Sequence, residues 1–259
     1  FALSGGTSYD WRELEEFFLK ARNLIPTVVT VGGGVGYTSD PIAFSELTGV
    51  DFALMGEGDS TVVDLINCIL EGIPQSEWDI PGIVVRRKQK WILLDERDHY
   101  ENVETLPFPS YEGFPLEAYF DNQKNAAYFR NYDQFESSPR VLMMAASRSC
   151  PYACGFCCHS IGRRHRERSL ESVSEELCSY IERYGVNGVF FADELFANNR
   201  QRIVDFCSMV KATGVKWVVE LRVDFIDEEL LSTMKDAGCI TVLLGLESVS
   251  ADTLDEIGK

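Results

Sequence analysis

From Val141 onward, apolar and polar positions alternate in blocks that switch repeatedly between two periods. Short apolar runs at Val141–Ala146, Gly188–Ala192, Trp217–Leu221 and Ile240–Leu246 have the length of buried strands. Between them, Leu170–Tyr184, Arg200–Thr213 and Asp227–Ala237 carry apolar residues three and four apart, the spacing of helices with one buried face. Strand–helix units this regular predict a parallel sheet with right-handed crossovers. Polar residues fall at the strand ends. Cys150, Cys154 and Cys157 follow the first strand, Asp193 and Glu194 the second, Arg222 and Asp224 the third, Glu247 and Ser248 the fourth. In a (β/α) barrel or part of one, these ends share the face that carries the active site. Four strands leave an apolar edge open and a further helix begins near Lys259, so the expectation is a partial barrel, cut short at its C-terminal end.

The first hundred residues repeat the alternation less regularly. Phe1–Leu3 reads as the stub of a strand, Asp10–Arg22 as an amphipathic helix, and Thr27–Val31 as a strand ending in Gly32-Gly33-Gly34. Asp40-Pro41 reads as an N-cap with proline at the first helical position. Asp51–Met55 is a second short strand, which ends in Gly56-Glu57-Gly58-Asp59; Thr61–Leu70 follows at helical spacing, and Ile83–Arg87 with Trp91–Leu94 reads as a hairpin. From about Tyr100 to Pro139 the chain is rich in Pro, Tyr and Phe without a sustained period, as in a packed connector. The expected organisation is a partial Rossmann-like domain at 1–97, lacking its opening strands, a connector at 98–139, and the second α/β domain at 140–259.

Composition narrows the classes. The chain has 259 residues, 45% of them hydrophobic, and a formal net charge of −17, which repels a phosphate backbone over most of the surface. No apolar run has the length of a membrane span, and no basic-then-apolar signal segment opens the chain. The expectation is a cytoplasmic protein with no membrane span and no nucleic-acid partner.

Four of the eight cysteines, Cys68, Cys178, Cys207 and Cys239, are scattered singly in apolar stretches, the pattern of buried free thiols. The other four crowd into Cys150–Cys158, which suits a metal better than a disulfide framework, and a reducing compartment follows. Pro151 and Gly155 keep Cys150, Cys154 and Cys157 out of helix, in a loop able to wrap one corner of a cuboidal cluster. A [4Fe-4S] cluster normally takes four cysteines, so three leave one iron open to a substrate or cofactor. A structural zinc held with His159, or a purely electron-carrying cluster, are the plainer alternatives. Cys158 adjoins a ligand and is read as a spare thiol. The basic run Gly162–Arg168 reads as a solvated loop, or as a neutraliser of an anionic substrate.

The CxxxCxxC loop after the first strand of a (β/α) domain resembles the radical S-adenosylmethionine (radical SAM) superfamily. "FADELF", "ELRVDFIDEELLSTMKDAGC" and "LLGLES" are similar to its cobalamin-associated branch, so the likeness covers nearly all of 140–259. The resemblance implies that the open iron chelates the amino and carboxylate groups of SAM. An electron from the cluster then splits the sulfonium into methionine and a 5′-deoxyadenosyl radical. On the same grounds Asp193 and Glu194 stand where the SAM ammonium is met. Arg222 is a partner for the SAM carboxylate, and Glu247 an acceptor for the ribose hydroxyls. For each of these the plainer reading is a surface ion pair or a helix cap.

The glycine turns of the first domain sit where open α/β sheets bind ligands, and their order resembles a cobalamin-binding domain: Ser4-Gly5-Gly6, then Gly33-Gly34, then the turn at Gly56, Glu57 and Gly58. Gly6 stands where that family has leucine, and the aspartate–histidine loop of its first strand is not in this sequence. A Rossmann-like domain without cobalamin is the alternative. The reading as a whole is a cobalamin-dependent radical SAM methyltransferase acting on an unactivated carbon of a small molecule, with an external electron donor of flavodoxin or ferredoxin type. A radical SAM cyclase, rearrangement or oxidation enzyme is the rival within the class, and a structural metal-binding module outside it. A methylthiotransferase is disfavoured, because only Cys68 precedes Cys150.

Overall fold

The computed structural model describes residues 4–5, 11–95, 102–123, 135 and 138–259. The Phe1–Leu3 stub, Gly6 and most of the 98–101 and 124–137 stretches of the connector lie outside the described residues. The chain divides into two compact units, residues 1–100 with 158–162 and residues 101–157 with 163–259.

The first unit runs β1 (Ser4–Gly5), α1 (Trp11–Leu24), β2 (Val31–Gly34), α2 (Val35–Ser39), α3 (Pro41–Thr48), β3 (Phe52–Leu54), α4 (Gly58–Leu70), β4 (Ile83–Arg87) and β5 (Lys90–Leu93). Its strands form one sheet in chain order. β1, β2 and β3 are parallel, and the hairpin β4–β5 is added antiparallel. Period-two alternation gives the sheet two apolar faces. Ala53 and Val84 pack with Leu14, Phe18 and Tyr37 on one side; Leu54, Ile83 and Val85 pack with Leu65 and Trp78 on the other. Asp40 caps α3 by accepting from the Ala43 N–H at 3.0 Å, with Pro41 in the first turn.

One expectation is corrected here. Thr27–Val31 is not the strand; Val31–Gly34 is, so the glycines form β2 instead of a turn after it. At the entry to β2 the Asp51 carboxylate accepts from the Thr30 N–H at 2.8 Å and its hydroxyl at 2.7 Å, while the Thr30 carbonyl accepts from the Phe52 N–H at 3.2 Å. Gly32 is required because the buried Tyr37 ring lies against it: an added Cβ would stand 2.3 Å from the ring's Cζ.

In the second unit, α5 (Leu116–Gln123) belongs to the aromatic stretch and buries Phe120 in the unit's core. Then come β6 (Val141–Met144), β7 (Ser147–Arg148), β8 (Arg166–Glu167), α6 (Leu170–Tyr184), β9 (Gly188–Phe191), α7 (Arg200–Val210), β10 (Lys216–Leu221), α8 (Glu228–Asp236), β11 (Cys239–Leu244) and α9 (Ala251–Ile257). β6, β9, β10 and β11 form an all-parallel sheet in the order β11-β10-β9-β6, so their carboxyl ends share one edge. Ser169, Asn199 and Asp227 cap α6, α7 and α8 through side-chain oxygens, each worth about 1 kcal/mol. The sheet's helix-covered face buries Leu142, Met144, Val189, Phe191, Trp217 and Val219. Edge-to-face contacts link Phe191, Phe196, Phe206 and Trp217, with ring centroids 4.9–5.2 Å apart. The alternate residues, Met143, Phe190, Val218 and Glu220, project to the other face, where Met143 is 58% exposed.

Candidate functional site

The cysteine loop is closed at its base. β7 and β8 pair antiparallel, Ser147 with Glu167 and Arg148 with Arg166, which clamps residues 149–165 between two short strands. Ser149 enters the loop with φ 69° and is fully buried. Within the loop the Cys157 N–H donates to the Cys154 carbonyl at 3.1 Å, a tight turn, and the Gly155 N–H donates to the carbonyl of Ile257 at the end of α9, at 2.7 Å.

Arg166 and His165 are buried, and His165 Nε2 lies 2.9 Å from the Leu195 carbonyl. Arg168 donates to the Ala145 carbonyl and to the buried Glu176 carboxylate, and Arg202 donates to the carbonyls of Ala146 and Arg168. The basic run is therefore only partly solvated: Arg163 and Arg164 are exposed, whereas His165 and Arg166 turn inward. Arg168 ties the loop's return strand to α6, as Arg202 ties it to α7, because guanidinium groups satisfy several backbone carbonyls at once.

Asp193, just beyond β9, anchors the other side of the clamp. Its Oδ1 accepts from the N–H of Ser147 and lies 2.7 Å from the Ser147 hydroxyl, which also lies 2.7 Å from the Leu195 carbonyl. Burial pushes the Asp193 carboxyl up to about 6, against the pull of the Ser147 and Ala146 hydrogen bonds and of Arg202. Thus Asp193 is engaged with the strand that launches the cysteine loop.

Cys150, Cys154 and Cys157 are free thiols; Cys154 is buried, Cys150 half-buried and Cys157 exposed. Burial pushes the Cys150 thiol up. The Tyr152 N–H and Arg222 pull it down, while Glu194 and Cys154 act in the direction of burial. Glu194 and Arg222, from the ends of β9 and β10, are therefore within electrostatic reach of the loop. Arg222 donates through Nε and Nη2 to one Asp224 oxygen, at 3.0 and 2.6 Å, and its guanidinium lies 3.8 Å from the centre of the Tyr152 ring. Burial opposes its charge, but Asp224, together with Tyr152 and Cys154, raises it further.

Glu247, after β11, adopts φ 55°, a left-handed conformation that costs an L-residue about 1 kcal/mol and is typical of functional turns. Its carboxylate accepts from Lys259 Nζ at 3.0 Å. Glu220 faces the same side, its carboxyl raised by burial, lowered by Lys259 and raised again by Glu247. Sequence reasoning missed Glu220, Ser147 and Tyr152. The readable signals were a lone acid in an apolar strand and an aromatic two residues after the first cysteine.

Among the described residues, no three His, Cys, Asp or Glu side chains converge as ligands of one metal ion would. A cuboidal cluster asks for something different, since each thiolate takes a separate iron and the three need only line one rim. The donor set, the clamp and the hydrogen-bonded turn at Cys154–Cys157 fit that demand. Of the scattered cysteines, Cys207 is buried and pushed up to about 11, and Cys239 to about 12, both by burial; Cys178 is exposed, contrary to expectation, because its turn of α6 faces solvent.

In the first unit, β1 pairs with β2 so that Ser4 lies beside Gly33 and Gly5 beside Gly34. The Gly56 N–H donates to Thr38 Oγ1 at 2.9 Å, and Thr38 donates to the Gly34 carbonyl at 3.0 Å, tying the ends of β2 and β3 together. Gly34 and Gly56 have φ of 99° and 70°, and an added Cβ at Gly56 meets nothing within 4 Å. Glu57 is buried at the head of α4. At Gly33, Gly34 and Gly56 this edge carries no side chain on its backbone.

The fold and loop define an α/β protein with a thiol-lined centre at the carboxyl ends of a parallel sheet. Residues 144–259 match the radical SAM superfamily. It is 31% identical over 244 residues to the uncharacterized methyltransferase PH0819 of Pyrococcus horikoshii, across 92% of this chain and 50% of that protein. It is 27% identical over 253 residues to the anaerobic magnesium-protoporphyrin IX monomethyl ester cyclase of Cereibacter sphaeroides, across 95% of this chain and 39% of that one. The chain spans about half the length or less of these curated relatives. Among solved structures, the cobalamin-dependent S-adenosylmethionine radical enzyme OxsB, with aqua-cobalamin and S-adenosylmethionine bound, superposes with a TM-score of 0.73 at 22% identity. That match covers 99% of this chain and 36% of OxsB, and it establishes a shared fold. No helix among the described residues is long and apolar enough to cross a membrane.

Proposed function

We propose that this chain forms the cofactor-binding part of a cobalamin-dependent radical SAM methyltransferase acting on an unactivated carbon of a small molecule. One observation carries the reading: three thiols on a clamped CxxxCxxC loop at the ends of parallel strands, with Glu194 and Arg222 beside Cys150. Cys150, Cys154 and Cys157 hold a [4Fe-4S] cluster, which supplies the electron that splits bound SAM. Arg222 pairs with the SAM carboxylate, Glu194 meets the ammonium, and Glu247 accepts from the ribose. Asp193 contributes from below by bracing Ser147. Ser4, Gly33, Gly34, Gly56, Glu57 and Gly58 offer backbone for close approach by cobalamin. A flavodoxin- or ferredoxin-type donor in the cytoplasm supplies the electron, and the acidic surface argues against nucleic acid as substrate.

The test is anaerobic reconstitution of the full-length protein with iron, sulfide, SAM, reductant and cobalamin, followed by product analysis. The reading expects about four irons per chain, 5′-deoxyadenosine formed without cobalamin, and methyl transfer only with it. A folded protein that takes up no cobalamin under any condition overturns the methyltransferase reading. The likeness to the Cereibacter cyclase favours one second reading, radical cyclisation, in which deoxyadenosine forms but no labelled methyl group leaves SAM for the product.

A further inference from the structure

Arg222 is held on two sides by residues of different origin. Asp224, two residues on, occupies the Nε–Nη2 edge through a single carboxylate oxygen at 3.0 and 2.6 Å. The ring of Tyr152, in the middle of the cysteine loop, covers one face of the guanidinium at 3.8 Å. Among the described residues Nη1 has no acceptor, and the side chain is 13% exposed. A planar cation fixed along one edge and one face retains a single free edge, and that edge matches a carboxylate in bidentate geometry. Both contacts stabilise the charged, planar group without consuming that edge. The Tyr152 N–H also favours the charged form of the Cys150 thiol. One residue in the middle of the cysteine loop therefore reaches the strand-end cation with its ring.

We propose that Tyr152 is a positioning residue that, together with Asp224, presents the free edge of Arg222 to the carboxylate of SAM, so that ordering of the cysteine loop and capture of SAM are coupled. This rests on the radical SAM reading above. Cation–π attraction requires an aromatic face and not the phenol oxygen, so phenylalanine serves in place of tyrosine and an aliphatic side chain does not.

The experiment measures SAM affinity by anaerobic equilibrium dialysis, and iron content, on the reconstituted full-length protein. Tyr152→Phe binds SAM within twofold of wild type. Tyr152→Leu weakens binding roughly threefold to thirtyfold with its iron intact, and has no further effect in an Arg222→Ala background. Asp224→Ala reaches the same guanidinium without altering the cysteine loop and weakens SAM comparably, which preserves the test should Tyr152→Leu lose iron. Unchanged SAM affinity in both Tyr152→Leu and Asp224→Ala overturns the inference, as does an equal loss with and without Arg222. A wild-type protein that takes up iron but binds no SAM overturns the radical SAM reading, and the inference with it.

Discussion

The cysteine loop of the second unit and the glycine edge of the first occupy the same topological place, beyond the carboxyl ends of parallel strands, and are built in opposite ways. The cysteine loop is made of side chains. Its thiols are the proposed ligands, its base is clamped by β7 and β8, and its surroundings are held by Asp193, Arg168 and Arg202. The glycine edge is made by removing side chains. Gly34 and Gly56 adopt positive φ, and Thr38 ties their backbones together. A ligand that bonds covalently to the protein needs reactive atoms in fixed positions, whereas a large ligand held by contact needs an unobstructed surface. Substitutions therefore act differently in the two places: removing atoms destroys the first, and adding atoms destroys the second.

The largest effect expected is at the thiols. Cys150→Ala, Cys154→Ala or Cys157→Ala in the full-length protein should each abolish the iron–sulfur absorbance and bring iron content near zero, while Cys158→Ala keeps it. Equal loss in Cys158→Ala would mean that the ligand set is misassigned. Next come the residues around the loop. Arg222→Ala and Glu247→Ala should retain iron and weaken SAM about tenfold to a hundredfold, the loss of a charge-assisted hydrogen bond. Unchanged dialysis constants in both variants would return them to a structural role.

The glycine edge gives smaller effects that separate fold from ligand. In Gly32→Ala the new methyl would collide with the buried Tyr37 ring, which is fixed by a 2.9 Å hydrogen bond to Thr48, at a cost of about 1–3 kcal/mol in thermal unfolding. In Gly33→Ala the methyl meets only Leu54, at an ordinary 3.7 Å, so the melting temperature should hold while cobalamin uptake falls. Full uptake in a folded Gly33→Ala protein would place the ligand away from this edge.

The smallest effect concerns pH. Asp193 titrates near 6 in the folded protein instead of near 3.8, because burial disfavours its charge. The folded state thus binds more protons than the unfolded between these values, and stability falls as pH rises from about 4 to about 6, then levels. Asp193→Asn carries no charge at any pH, so its melting temperature relative to wild type should rise over that window and stay constant above it. A constant difference from pH 4 to 8 would show that Asp193 is not buried in this way.

The strand–helix order of the second unit was legible because its pattern and its packing agree. Leu170–Tyr184 forms the helix that its spacing predicts, and Asp227 caps α8 as its position implies. The cysteine loop was legible because thiol chemistry is carried by residue type and spacing. Tertiary structure decided what depends on neighbours distant in sequence. The strand's glycine run was set by Asp51, which takes the Thr30 N–H at its entry, and by Tyr37, which needs the room at Gly32. Part of the basic run turned inward because buried carbonyls and Glu176 were there to receive it. Asp193 became a brace beneath the loop because Ser147 lies beside it across the sheet edge. Residue type fixes which bonds a side chain is able to make; which partner it meets is set only when strands far apart in sequence are brought side by side.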